Sequence, residues 1–125
     1  MMNLSWLQLG SLFMFLGVLL GTVGTNTLKL KASKESLNAF KTGIFYHLLH
    51  SLALFVIFYL TTIYADPHIQ YAGLFFITGI LLYSGALYLY AITELFALRV
   101  IEHVGIGCFL AGWFFLIHSN YHMFY

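Results

Sequence analysis

The sequence predicts an all-α integral membrane protein, a single domain of four transmembrane helices packed as a bundle. Three observations lead there. First, the chain of 125 residues carries 5 Lys+Arg and 4 Asp+Glu, 7% charged, with 62% hydrophobic residues and a mean hydropathy of +0.92. A soluble or disordered chain needs far more solvated groups, roughly 25% charged in an ordinary soluble domain. Second, four stretches hold no charge at all: residues 1–28, 42–65, 67–93 and 103–125. Each exceeds the ~20 residues that cross a ~30 Å hydrocarbon core as a helix. Third, runs such as Leu52-Ala53-Leu54-Phe55-Val56-Ile57-Phe58 do not alternate apolar with polar. Strands of a membrane barrel do alternate, and a closed barrel is the only other structure that spans a bilayer.

The first helix is expected near 4–24. It is expected to stay as an uncleaved helix, because no charged side chain precedes Lys29, whereas a signal peptide places its positive charge ahead of the apolar run. The second helix is expected to start before the membrane. Ser33 is a fitting N-cap and Glu35 falls in the first turn, where the helix dipole favours negative charge. Leu37, Phe40 and Ile44 recur at helical spacing, so one long rod from 34 to 65 is expected, with its membrane part at 43–65. Asp66-Pro67 ends it, since the residue before a proline resists the helical region. The short loop makes the third helix, near 69–92, an antiparallel neighbour of the second. Residues 93–103 mix Leu95, Phe96, Leu98, Val100 and Ile101 with Glu94, Arg99 and Glu102. This pattern reads as an interfacial segment lying on the membrane surface. The fourth helix is expected near 104–124.

Charge also predicts orientation. All five Lys and Arg fall in the 1–2 connection (Lys29, Lys31, Lys34, Lys41) or in the 3–4 segment (Arg99). Positive residues stay on the cytoplasmic side, so both chain ends are expected outside. Tyr64, Tyr71, Tyr121 and Tyr125 would then anchor the outer interface. Small residues mark the expected helix contacts: Gly17, Gly21 and Gly24 on helix 1, Gly85 on helix 3, and Gly107, Ala111 and Gly112 on helix 4. They let helix backbones approach, which matters where lipid supplies no hydrophobic drive between helices.

Several of these residues form a pattern. Gly21-Thr22-Val23-Gly24-Thr25-Asn26 is followed by Leu28-Lys29. Phe40-x-Thr42-Gly43-x-x-Tyr46-x-x-x-His50-x-Leu52-Ala53-Leu54 comes next, then Gly79-x-x-Leu82-Tyr83-Ser84-Gly85-Ala86-Leu87-Tyr88 and Ala111-Gly112-Trp113. In this order, over roughly 17–115, the motifs resemble an uncharacterised family of four-helix membrane proteins whose bacterial members include YgdD and YwdK, with a small animal transmembrane relative. The resemblance implies a multi-pass protein of the bacterial inner membrane and implies no activity. Asn26 stands where that family usually has His, and Glu102-His103 where it often has Thr-Pro.

Polar groups inside a bilayer are costly and draw attention first. His47 and His50, at i and i+3, share a face of helix 2. With Asn26, Tyr46, Ser84, Tyr88 and His103 they make a candidate buried polar pocket near the lysine-bearing side. Such a pocket suits a small ligand, a proton relay or a quinone headgroup; the plainer reading is a hydrogen-bonded network that fixes packing. At the other side His118 and His122, with Asp66 or His68, are weak candidates for a metal and do not amount to a predicted centre. A bis-histidine haem would have only His47 or His50 with His103 to draw on. No cofactor is therefore expected.

No Ser-His-Asp set, phosphate-binding glycine loop or paired carboxylate is present, so an enzyme is not expected. The single Cys108 excludes an intramolecular disulfide and a thiolate zinc site. A net charge of +1 excludes a nucleic-acid partner. The expected role is a non-enzymatic membrane protein, a structural or accessory subunit or a homo-oligomer, with lipid and other membrane subunits as partners. The alternatives are a small transporter or channel using the His47 and His50 pocket, and a quinone- or haem-binding redox anchor. The orientation has a direct test: a topology reporter fused after Tyr125 should be active only on the outer side, and a cytoplasmic signal would reverse the reading.

Overall fold

The computed structural model describes residues 5–121, and those residues are helical apart from short connections. Four helices are long and apolar enough to cross a membrane: α1 (Trp6–Lys31), α2 (Lys34–Ile63), α3 (Pro67–Thr93) and α4 (Ala97–His118). The expected limit at 4 and the expected roles of His122 and Tyr125 lie outside the described residues, whereas the fourth helix, expected to reach 124, ends at His118, where Ser119 turns extended.

Each helix starts where its caps allow. Ser5 opens α1 with a reciprocal cap: Gln8 N–H donates to Ser5 Oγ (3.2 Å) and Ser5 N–H to Gln8 Oε1 (2.9 Å). Ser33 caps α2 by accepting from Ser36 N–H (3.1 Å). Asp66 caps α3 with Pro67 in the first turn, where its missing N–H costs nothing. The turn before α4 comes from Glu94, whose φ of 55° is left-handed and stops α3.

Two further boundaries differ from expectation. α1 runs to Lys31 rather than 24, and it passes through a π-helical turn at Leu20–Gly24. The glycines loosen the helix without ending it, because a backbone leaving the helix in hydrocarbon finds no other partners. The segment 93–103 is not a separate interfacial piece: only Glu94–Phe96 are connection, and α4 begins at Ala97. Its charges are accommodated inside the bundle end. Arg99 lies 3.5 Å from Glu102 and its guanidinium 4.9 Å from the centre of the Tyr90 ring. α3 carries a second π turn, Ile80–Ser84, which turns Tyr83 and Ser84 into the interior.

α3 and α4 pack most extensively, and α2 lies between α1 and α3, meeting α3 over at least as much of its length as it meets α1. Glycines set the approach. A Cβ on Gly17 would strike Leu48 and crowd His47, and one on Gly24 would strike Phe40. Across α3 and α4 the fit is reciprocal: Phe109 fills the space over Gly79, and Phe76 the space over Gly112. Gly105 lies against the Tyr83 backbone, where an added Cβ would come within 2.4 Å of its nitrogen. Gly85 and Gly107, expected in the packing set, meet nothing within 4 Å, and Ala111 is only half-buried. Gly107 is two residues from Gly105, about 200° around the helix, and so faces away from α3. The buried core is Leu54, Ile57, Ile69, Ala72, Phe76, Ile80 and their neighbours.

Replacing Gly105 with Ala should lower the unfolding midpoint in detergent, by the ~1–3 kcal/mol typical of overpacking. Gly107→Ala should leave it unchanged, and equal effects in the two variants would contradict this packing.

Candidate functional site

His47 and His50 are both buried on α2, one turn apart, and they reach in different directions. His47 points between α1 and α3. Its Nε2 lies 2.7 Å from the Phe13 carbonyl oxygen and its Nδ1 2.7 Å from the Tyr88 hydroxyl. A carbonyl only accepts, so Nε2 carries the proton and Tyr88 O–H donates to Nδ1. Gly17 leaves the room that this ring needs.

His50 points toward α4. The Trp113 indole N–H donates to its Nε2 at 3.0 Å. An indole N–H can only donate, so here Nδ1 carries the proton and donates to the Tyr46 carbonyl, 2.9 Å away. The ring lies flat on Phe109, with centres 3.7 Å apart and planes 9° from parallel. The two histidines thus hold opposite tautomers, each imposed by its partners, and all four ring nitrogens are used.

The remaining expected pocket residues divide. Ser84 is buried and donates to the Gly43 carbonyl (2.7 Å), tying the π turn of α3 to α2. Tyr46 is half-buried and meets Tyr83 edge-on at 5.0 Å. Tyr88 is half-buried at His47. Asn26 is exposed on α1 and takes no part in these bonds. His103 is exposed on α4, its Nδ1 turned back to the Arg99 carbonyl. The gathered set is therefore Tyr46, His47, His50, Ser84 and Tyr88, and it continues to Trp113 and Phe109. Those two were not anticipated, although Ala111-Gly112-Trp113 was visible in the sequence as a motif.

The chemistry of this set is limited by where its hydrogen bonds end. The Tyr88–His47 chain stops at the Phe13 carbonyl, and Ser84 stops at the Gly43 carbonyl. A backbone carbonyl cannot pass a proton on, so neither chain forms a proton relay. A metal or haem iron would have to displace Tyr88, Phe13, Tyr46 or Trp113 from a nitrogen.

At the far end of the bundle Asp66 closes the α2–α3 turn. It accepts from His68 N–H (2.9 Å), from His68 Nδ1 (2.7 Å) and from Asn120 N–H. The Asn120 and His68 backbone amides hold its carboxyl below the usual aspartate range. The clasp is present at neutral pH and is lost only as pH falls through that lowered value. With the carboxylate so engaged and His118 exposed beside Phe114, no three His, Cys, Asp or Glu side chains converge among the described residues.

A cavity of about 560 Å³ opens at the lysine-bearing end, lined by Lys34, Glu35, Asn38, Tyr83, Arg99 and Glu102 among others. Sequence reading missed it, because its walls come from three helices, with Arg99 and Glu102 read as interfacial and Lys34 and Glu35 as the first turn of helix 2.

Comparison with known proteins places the chain in a family. Residues 20–106 match the family model described as protein of unknown function DUF423. The chain is 32% identical to the UPF0382 membrane protein YwdK of Bacillus subtilis, over 87% of this chain and 89% of that one. It is 29% identical to a UPF0382 membrane protein of Staphylococcus haemolyticus, over 90% and 92%. A relative from Staphylococcus aureus is also 29% identical, with the same coverage. No solved structure matches the chain.

The tautomers can be read directly. Nitrogen-15 spectra of histidine-labelled protein should show one buried ring protonated at Nε2 and the other at Nδ1. Trp113→Phe should perturb only the second, and two identical tautomers would contradict the assigned bonds.

Proposed function

Because the chain belongs to the DUF423 family, whose matched relatives are bacterial membrane proteins, we propose that it is a non-enzymatic multi-pass protein serving as a structural or accessory subunit, as a homo-oligomer or within a larger complex. One observation carries the proposal. The two buried histidines, the groups best suited to chemistry, have every ring nitrogen engaged, three of the four in bonds between helices and the fourth on the carbonyl one turn back in α2. Neither ring can take a ligand or a further proton without first losing one of these bonds.

A second observation supports a life among other membrane components. α1 rests on α2 by one glycine-lined face, while Leu12, Phe15, Val18, Leu19 and Val23 are exposed. The orientation belongs to the same proposal: Lys29, Lys31, Lys34, Lys41 and Arg99 face the cytoplasm and the Asp66 end faces outward. The transporter reading centred on His47 and His50 needs rings that can exchange partners, and it draws no support from these bonds.

Native mass spectrometry of the tagged protein, extracted from its own membrane in mild detergent, is the test. A fixed stoichiometry, with itself or with other subunits, is expected. A bare monomer that moves a solute across liposomes, and loses that flux in His50→Ala, would overturn the proposal.

A further inference from the structure

The cavity at the lysine-bearing end is not explained by the histidine network. It lies between the N-terminal ends of α2 and α4 and the second half of α3. Its volume, about 560 Å³, falls within the ~300–1,000 Å³ typical of small-ligand sites. Two cations, Lys34 and Arg99, and two anions, Glu35 and Glu102, line it, so its walls sum to zero charge.

Several polar atoms here open to the cavity rather than to one another, and no fully buried side-chain nitrogen or oxygen among the described residues lacks a partner. Tyr83 is 9% exposed overall, and its hydroxyl, held by no hydrogen bond among the described residues, is accessible from the cavity that the residue lines. The π turn at Ile80–Ser84 places it there, and π turns are frequently found at functional sites. Glu102 is 7% exposed and meets Arg99 through one oxygen, at a loose 3.5 Å to Nε. Glu35 accepts from Tyr90 O–H through one oxygen (3.1 Å). Each carboxylate keeps a second oxygen, and the Arg99 contact uses Nε alone. Two helix N-termini beside the cavity further favour an anionic group next to a cationic one.

Depth identifies the source. α2 has 30 residues, about 45 Å at ~1.5 Å per residue, against a ~30 Å hydrocarbon core. The cavity is lined by its first turns and by the first turns of α4, and so sits at headgroup level. We propose that this cavity binds a phosphate–ammonium zwitterion, the headgroup of a phosphatidylethanolamine lipid. The phosphate meets Arg99 and Lys34, the ammonium meets the Glu102 and Glu35 carboxylates, and the Tyr83 hydroxyl donates to the phosphate. A primary ammonium donates hydrogen bonds to carboxylates; a trimethylammonium cannot. A net-anionic headgroup leaves both glutamates unmatched.

The test is lipid selectivity of the intact protein. It is reconstituted in vesicles of equal phosphatidylethanolamine, phosphatidylcholine and phosphatidylglycerol, extracted in mild detergent, and its retained lipids are weighed by native mass spectrometry. Phosphatidylethanolamine should be enriched on the order of tenfold over phosphatidylglycerol, the scale of one charge-assisted hydrogen bond. Glu102→Gln should bring the ratio toward one. Tyr83→Phe keeps the packed ring and should reduce retention several-fold with the unfolding midpoint unchanged. Retention that favours phosphatidylglycerol overturns the proposal whether or not any variant folds, and so does retention that mirrors the vesicle composition in the wild type when soluble glycerophosphoethanolamine also fails to bind. Calorimetry with soluble glycerophosphoethanolamine separates the sources: binding there without lipid enrichment supports the same zwitterion site with a soluble ligand, and no binding in either arm overturns it.

Discussion

A polar atom placed in hydrocarbon must find its partner inside the protein, because neither water nor lipid will supply one. Around α2 this constraint becomes architecture. His47 needs a donor and an acceptor, and finds them on α3 and α1. His50 needs the same, and finds a donor on α4 and an acceptor one turn back on its own helix. Ser84 needs an acceptor and finds it in the Gly43 carbonyl of α2. Together these bonds join one helix to the three others. Each is modest alone, since side-chain hydrogen bonds within membranes average roughly 0.6 kcal/mol. Their directionality matters more than their energy: a slid or rotated helix would leave a nitrogen unmatched, so the network selects one register from many apolar packings.

The apolar contacts follow from that register. Here the small residues mostly do not pair with small residues. Gly79 and Gly112 receive aromatic rings, Phe109 and Phe76, and Gly73 receives the Trp6 ring. Backbone presses hardest on backbone at Gly105, against Tyr83, and more lightly at Gly112, near the Ala72 carbonyl. With 13 Phe, 9 Tyr and 2 Trp in the chain, the glycines act chiefly as sockets for large flat side chains. The same aromatics surround His50, where Phe109 stacks on the imidazole and Trp113 bonds it.

Much of this was legible beforehand. Four uncharged stretches specify four spans, because length and hydropathy are local properties. Ser33 and Asp66-Pro67 mark their boundaries for local reasons too, one as a cap and the other as a break. His47 and His50 stand out because imidazoles are rare in hydrocarbon. What could not be read is what depends on helix phase. Gly105 and Gly107 look alike in the sequence, and only the side of α4 that meets α3 separates them. His103 was grouped with the pocket by depth, and its position around α4 leaves it exposed. The segment 93–103 looked interfacial because its charges sit among apolar residues, and only the Arg99–Glu102–Tyr90 arrangement accounts for them within a continuous helix end.

The π turns bear on this question of phase. α1 and α3 each widen once, at Leu20–Gly24 and Ile80–Ser84. A π turn holds one residue more than an α turn, so every side chain beyond it is advanced by about 100° around the axis. The half of α3 before Ile80 and the half after Ser84 therefore keep separate angular frames. Relatives lacking one of these turns would present the same faces with one residue fewer. A single-residue gap in an alignment at this point would then preserve the fold, whereas a gap anywhere else in the span would rotate Tyr88 and Tyr90 away from the partners they meet on α2.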